Sequence, residues 1–340
     1  MKQAFVDKNL KVEIRNTDIP APSTSQILIR VVVSGTNPKD WRLATDLPNN
    51  PPLNQGDDIA GYVEAVGAGV IGFHIGDRVA AFHEMLALNG SYGEYAIAWE
   101  YTTFHIPEKT SFEEAATIPL AAMTAALGVY QILNLPLPWR PTQEPTPLVV
   151  YGGASAVGAF AIKLAQLSNI HPLIVVAGKG ATFIEGLIDR KKGDTIIDYR
   201  EGDEAVRKAI KAASDKPIYH AFDAVAEKGS YHNIAVVLTV PAKIASALPI
   251  KEKLPEGISH KPTMVNRVHM PPAEGTAIGN REFAMAFYRF FGRGLDQGWF
   301  TGHPFEVRPG GLQGLQGALL DLKSGKASAV KYVVRISETD

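Results

Sequence analysis

The stretch from Pro147 to Tyr199 constrains the chain more than any other. It opens on an apolar run, Leu148-Val149-Val150-Tyr151, followed by a turn of small residues, Gly152-Gly153-Ala154-Ser155-Ala156-Val157-Gly158. Ala159 to Leu167 then carries apolar residues at helical spacing, and a second apolar run, Leu173 to Ala177, ends at Gly178-Lys179-Gly180. Strand, tight turn, helix and strand in this order make the βαβ unit that seats a dinucleotide pyrophosphate at a helix N-terminus. A pyrophosphate needs backbone N–H groups aimed at it and no side chain in the way, and the positive end of the helix dipole adds attraction. Gly153 and Gly158 are spaced like the outer glycines of G-x-G-x-x-G, with Ser155 in the middle place. The turn Gly153, Ala154, Ser155, Ala156, Val157 and Gly158 is therefore the expected cofactor cradle. The Ser155 hydroxyl has two open roles, donation to a phosphate or simply being small.

The end of the second apolar run bears on the cofactor. Enzymes that use NAD place Asp or Glu there, about 20 residues on, to take the ribose hydroxyls. Ala177-Gly178-Lys179-Gly180 offers no acid and one cation. A carboxylate would repel a 2′-phosphate and Lys179 would attract it; Tyr199 and Arg200, after the next strand, can close the same pocket. The expectation is NADP(H).

The chain has 340 residues, enough for two domains, and a formal net charge of −1, which favours neither nucleic acid nor an anionic membrane. It has no cysteine, which removes disulfides, thiolate nucleophiles and thiolate zinc sites. The sequence reads as lacking an apolar run of the ~18 residues of a membrane span and a signal-peptide core, so the expected location is cytoplasmic.

Residues 1 to about 120 read as short strands punctuated by Gly and Pro: Ile27–Ser34, Ile59–Gly67, Gly76–Phe82 and Gly93–Ile97. The glycines in Ile59–Gly67 suggest close backbone approach or bulges. Ser111 reads as a helix N-cap before an Ala-rich helical segment, 115–133, which Pro119 divides. Beyond Tyr199, helices at 204–213 and 230–238 alternate with strands at 219–225 and 243–247, which implies a parallel sheet covered on both faces. Lys251–Met264 reads as a polar excursion, Val265–Met270 as a last sheet strand, Asn280–Phe291 and Gly310–Lys323 as helices, and Lys331–Ile336 as a closing strand.

Taken in order, several stretches resemble the medium-chain dehydrogenase/reductase superfamily: Gly56-Asp57-Asp58-Ile59-Ala60-Gly61, Val66-Gly67-Ala68-Gly69-Val70, Gly76-Asp77-Arg78-Val79, Leu120 to Ala125, Gly152 to Gly158, Ile197 to Arg200, and Gly325 to Ser328 with Lys331. Asn37-Pro38-Lys39-Asp40-Trp41 and the Gly-Gly-Ala-Ser turn are similar to the zinc-independent quinone oxidoreductases and to the fungal trans-acting enoyl reductases of polyketide synthesis. The fold that this resemblance implies is α/β, a GroES-like β domain from residues 1–120 and 301–340 with a Rossmann-type, doubly wound NADP(H)-binding domain at 121–300.

The resemblance also implies site residues. Zinc members need Cys near Asn37 and Gly-His-Glu near Gly56; here Gly56-Asp57-Asp58 stands instead, so no metal is expected. Without a Lewis acid, hydride goes more readily to a conjugated enone, enoyl thioester or quinone than to an isolated ketone, because the negative charge then spreads into an enolate or hydroquinone anion. Asn37, Thr124, Ala245, Ser246 and Lys331 match positions near the nicotinamide, and Lys179, Tyr199 and Arg200 positions at the 2′-phosphate. Met123, Phe82 and the loop Pro271 to Asn280 are candidates for an apolar substrate wall; no side chain stands out as the acid, with Lys39, Trp41, Tyr62 and Tyr95 as candidates to border the pocket and solvent as an alternative source of the proton. The expected partners are a small electrophilic substrate or an acyl chain on a carrier domain, with the protein a monomer or homodimer. A further alternative is an NADPH-binding sensor without turnover.

Overall fold

The computed structural model describes residues 1–47, 51–274 and 278–340. Strands β1 (Lys2–Val6), β2 (Val12–Asn16) and β3 (Gln26–Gly35) lead to helix α1 (Pro38–Asp46). Strands β4 (Asp58–Val66), β5 (Arg78–Phe82), β6 (Tyr95–Trp99) and β7 (Thr103–His105) follow, then helices α2 (Phe112–Ala115) and α3 (Pro119–Ala126). The middle of the chain alternates: β8 (Leu148–Tyr151), α4 (Ala156–Leu167), β9 (Leu173–Ala177), α5 (Ala181–Glu185), β10 (Thr195–Asp198), α6 (Asp203–Ala212), β11 (His220–Asp223), α7 (Ser230–Ala235), β12 (Ala242–Ser246) and β13 (Ile258–Pro262). Helix α8 (Asn280–Gln297), β14 (Phe305–Val307), α9 (Leu315–Lys323) and β15 (Lys331–Arg335) complete it.

Two compact units result: Met1–Leu120 with Asn266–Asp340, and Ala121–Val265. In the first, a sheet runs β14-β15-β3-β4-β5-β7, β6 adds to β3, and β1 and β2 form a separate ribbon. Its core joins Ile27, Ile29 and Val31 of β3 to Ile59 and Val63 of β4, Leu312, Leu315 and Leu319. The glycine reading of β4 holds. A Cβ on Gly61 would lie 2.1 Å from the Arg30 carbonyl oxygen, and the pairing of β3 with β4 slips between Leu28 and Ile29 and again between Val31 and Val33.

In the second unit six strands, every pair parallel, lie in the order β10-β9-β8-β11-β12-β13. This is the doubly wound order 3-2-1-4-5-6 with the chain reversal between β8 and β11. Its central strands β8 and β9 are apolar along their whole length, because both sheet faces are covered there.

Three segments depart from the sequence reading. Residues 251–264 are more than an excursion, since Ile258–Pro262 is the sixth strand of the parallel sheet; its exposed alternate residues, Ser259 and Lys261, hide the strand pattern. Val265–His269 is a 3₁₀ turn rather than a strand. The expected domain boundary at 301 also differs, because residues 266–300 cluster with the first unit, where α8 packs on β7 and on the turn Glu100–Thr102.

Among the described residues one helical run, Phe112–Ile132, is long and apolar enough to cross a membrane, which the sequence reading overlooked. Its most apolar window is 89% buried inside the fold, so packing accounts for its composition. Ser111 caps it, accepting from the Glu114 N–H, and Pro119 opens α3. Gly128, further along, makes room for a neighbour: a Cβ there would sit 2.2 Å from the ring of fully buried Phe222. Phe222→Ala is therefore expected to lower stability by about 3–5 kcal/mol, measured by urea denaturation followed by far-UV circular dichroism.

Candidate functional site

In the second unit, β8 delivers its chain end into the small-residue turn. Gly152 has φ 76°, the left-handed region that glycine enters at low cost. A Cβ on Gly153 would fall 2.2 Å from Val175 Cγ1, and one on Gly158 would fall 2.4 Å from the Gly152 carbonyl oxygen. Neither position admits a side chain, so the backbone of the turn stays bare. Ser155 is the N-cap of α4: its Oγ accepts from the Gly158 N–H at 3.1 Å and donates to the Gly152 carbonyl at 2.8 Å. Its single proton is committed inside the turn, so the cap role, and not donation to a phosphate, is the one the geometry displays. The N–H groups of Ala156 and Val157, in the first turn of α4, have no carbonyl four residues back to bond. This cradle, with Ala154 at its lip, fits a dinucleotide pyrophosphate.

The residues expected at a 2′-phosphate gather at the ends of β9 and β10. A Cβ on Gly178 would lie 2.5 Å from Tyr199 Cε1, so the Tyr199 ring rests against bare backbone while remaining half exposed. Lys179, next along, is exposed. Arg200 grips Asp198 with Nε at 2.8 Å from Oδ1 and Nη2 at 2.5 Å from Oδ2. That hydrogen-bonded pair pulls the Asp198 carboxyl down to about 2. Arg200 thus reaches a phosphate only in competition with its neighbour. Ala245 and Ser246 end β12 and are fully buried; the Ser246 Oγ lies 2.5 Å from the Leu248 carbonyl and 2.6 Å from His260 Nε2. Thr124, on α3, is buried as well. Met123 and Phe82, read as substrate wall, are fully buried in their own packing, and residues 275–277 of the 271–280 loop lie outside the described residues.

In the first unit the structure brings Asn37 and Lys331 together on a residue that sequence reasoning left without a role. Asp58, fully buried at the start of β4, accepts from Asn37 Nδ2 at 2.7 Å and from Lys331 Nζ at 2.5 Å, while its other oxygen accepts from the Leu120 N–H at 2.7 Å. Lys331 also donates to Asn37 Oδ1 at 3.0 Å. Beside this lies a second cluster. Lys39 Nζ is 2.5 Å from Asp57 Oδ2, 3.1 Å from Asp40 Oδ1 and 2.5 Å from the Gln55 carbonyl. The Tyr92 hydroxyl donates to Asp40 Oδ2 at 2.6 Å, and that same oxygen accepts from the Asn37 N–H. Burial pushes the Asp57 carboxyl up to about 7, against the pull of Lys39. The signal for both clusters was the Gly56-Asp57-Asp58 stretch, with Lys39 in the Asn37 motif. In each cluster a lysine ammonium meets one of these acids, Lys39 at Asp57 and Lys331 at Asp58. Among the described residues no group of three His, Cys, Asp or Glu side chains could hold a metal ion.

Comparison with known proteins bears on this geometry. Residues 23–108 match the alcohol dehydrogenase GroES-like domain. The chain is 44% identical over 320 residues to the trans-enoyl reductase fsr4 of Gibberella fujikuroi, covering 92% of each. Among solved structures it is similar to the CurK enoyl reductase (TM-score 0.78, 19% identity, 98% of both chains). It is similar also to a putative zinc-dependent alcohol dehydrogenase protein of Rhizobium etli (TM-score 0.81, 22% identity, 98% of both chains). The chain belongs to the medium-chain dehydrogenase/reductase family and is an oxidoreductase of the enoyl reductase-like kind. Membership implies a nicotinamide cofactor, in keeping with the cradle before α4.

Removing one half of a buried ion pair leaves a bare charge, whereas replacing both halves does not. Asp58→Ala is expected to cost about 3–5 kcal/mol in urea denaturation, and the double variant Asp58→Leu with Lys331→Met to recover most of that loss.

Proposed function

We propose that this protein reduces the conjugated C=C of an enoyl thioester with NADPH, acting on an acyl chain presented by a polyketide synthase carrier domain. The observation that carries this reading is the 44% identity, across 92% of both chains, to a trans-enoyl reductase. Simple enones and quinones are activated in the same way, so they serve as smaller substrates for the same site. When bound, the cofactor supplies hydride to the β-carbon.

The chain's own part begins with binding. The bare backbone from Gly153 to Gly158 and the first turn of α4 hold the pyrophosphate through N–H groups and the helix dipole. Lys179, the Tyr199 ring and Arg200 meet the 2′-phosphate, where the absence of an acid at the end of β9 favours NADP over NAD. Within the second unit, Thr124, Ala245 and Ser246 serve the nicotinamide end; in the first unit, Asn37 and Lys331 are locked on Asp58. A substrate whose negative charge delocalises into an enolate asks only for hydrogen-bond donors, and this site holds its positive charge as lysine rather than as a metal ion.

Following NADPH absorbance with an enoyl-pantetheine thioester, a quinone and a saturated ketone tests the reading. The thioester is expected to be turned over fastest and the ketone not at all. Faster ketone turnover would overturn it, and tight NADPH binding without oxidation by any of the three would favour a sensor. The double variant Lys179→Ala with Arg200→Ala is expected to raise KM for NADPH by about tenfold or more, from two lost charge-assisted contacts, and to leave KM for NADH nearly unchanged.

A further inference from the structure

Reducing a conjugated C=C takes up a hydride at the β-carbon and a proton at the α-carbon, and the cofactor brings only the hydride. Around α1 five buried ionisable side chains face one another: Lys39, Asp40, Asp57, Asp58 and Lys331. Three carboxyl groups meet two ammonium groups, so full ionisation would bury one uncompensated negative charge, an expensive arrangement. Asp58 is already matched by Lys331, Asn37 and the Leu120 N–H. The surplus falls on Asp57 and Asp40, which share Lys39. The remaining titratable neighbours are Tyr92 and Tyr288, both held well above their ordinary range by burial, and His83, whose imidazole burial keeps neutral. None of them competes for the proton near pH 7.

Exposure then gives the cluster a direction. The side chains of Asp40, Asp57, Asp58 and Lys331 are 0%, 1%, 0% and 4% accessible, and that of Lys39 is 16% accessible. One of the three Lys39 N–H groups goes to a backbone carbonyl, that of Gln55, on a flexible stem that can be re-aimed.

We propose that Lys39, Asp57 and Asp40 form a proton store that delivers the proton for C=C reduction through Lys39. The inference rests on the enoyl reductase reading above. The step balances: hydride adds to the β-carbon, and the C=C electron pair moves to the enolate. The Lys39 N–H proton then goes to the α-carbon, the Asp57 proton restores the ammonium, and water restores Asp57. Lys39 acts as the donor, with Asp57 and Asp40 positioning and recharging it.

Two measurements on the full chain test this, and one of them needs no turnover. Asp57 binds its proton up to about pH 7 when folded and releases it near 4 when unfolded, so the folded state holds the extra proton between those values. Its contribution to stability is complete at the acid end and is lost as pH rises through that window. Urea denaturation across the range is expected to show this downward trend, and Asp57→Asn to remove it. In kinetics with an enone, the wild type is expected to lose kcat as pH rises past about 7, as the store empties. Lys39→Arg keeps the charge and the capacity to donate but cannot release a proton, so it is expected to lower kcat about a hundredfold with KM for NADPH within about twofold. A merely structural lysine would be rescued by that change, so near-normal kcat in Lys39→Arg overturns the inference. An unchanged stability trend in Asp57→Asn overturns it also. A wild type inert to every conjugated substrate sinks the enoyl reductase reading instead, while the stability trend still supports or refutes the held proton.

Discussion

The carboxylate of Asp58 is the fixed point of the first unit. It takes donors from three separate places: the Asn37 side chain ahead of α1, the Leu120 N–H in α3 and the Lys331 ammonium from β15. A charge this deep in a protein is tolerated only when it is paired and hydrogen-bonded, and the chain supplies both with residues nearly 300 positions apart. The last strand of the protein is thereby chemically tied to its first helix, which is why a domain made from both chain ends holds together as one body.

Much of this was legible in the sequence. The βαβ unit could be read because parallel strands covered on both faces become unbroken apolar runs, and because the turn before α4 tolerates no side chains at Gly153 and Gly158. Pro119 and Ser111 announced their helix boundaries through fixed φ and a capping hydroxyl. The strand β13 was hidden because it lies at the sheet edge, where alternate residues face solvent and the apolar signal is halved. The boundary near 301 could not be read, since the choice of unit for α8 depends on contacts with β7 that leave no local trace.

At the site, the sequence named Asn37 and Lys331 but not the residue that joins them. Pairing across long separations has no periodicity to betray it; the only hint was two adjacent acids, Asp57 and Asp58, in a stretch where solvent-facing charge would be out of place. For Arg200 the opposite happened. A cation near the cofactor pocket reads as a phosphate clamp, yet the nearest anion, Asp198, is two residues away and takes it first. Sequence shows which charges exist, and geometry shows which are already spent.

The internal capping by Ser155 has an evolutionary consequence. Because its hydroxyl closes the turn on itself, the cradle proposed for a pyrophosphate is built from main-chain groups. A scaffold of this kind can diversify its chemistry rapidly, since its most demanding binding task is entrusted to the part of the polypeptide that is the same in every amino acid.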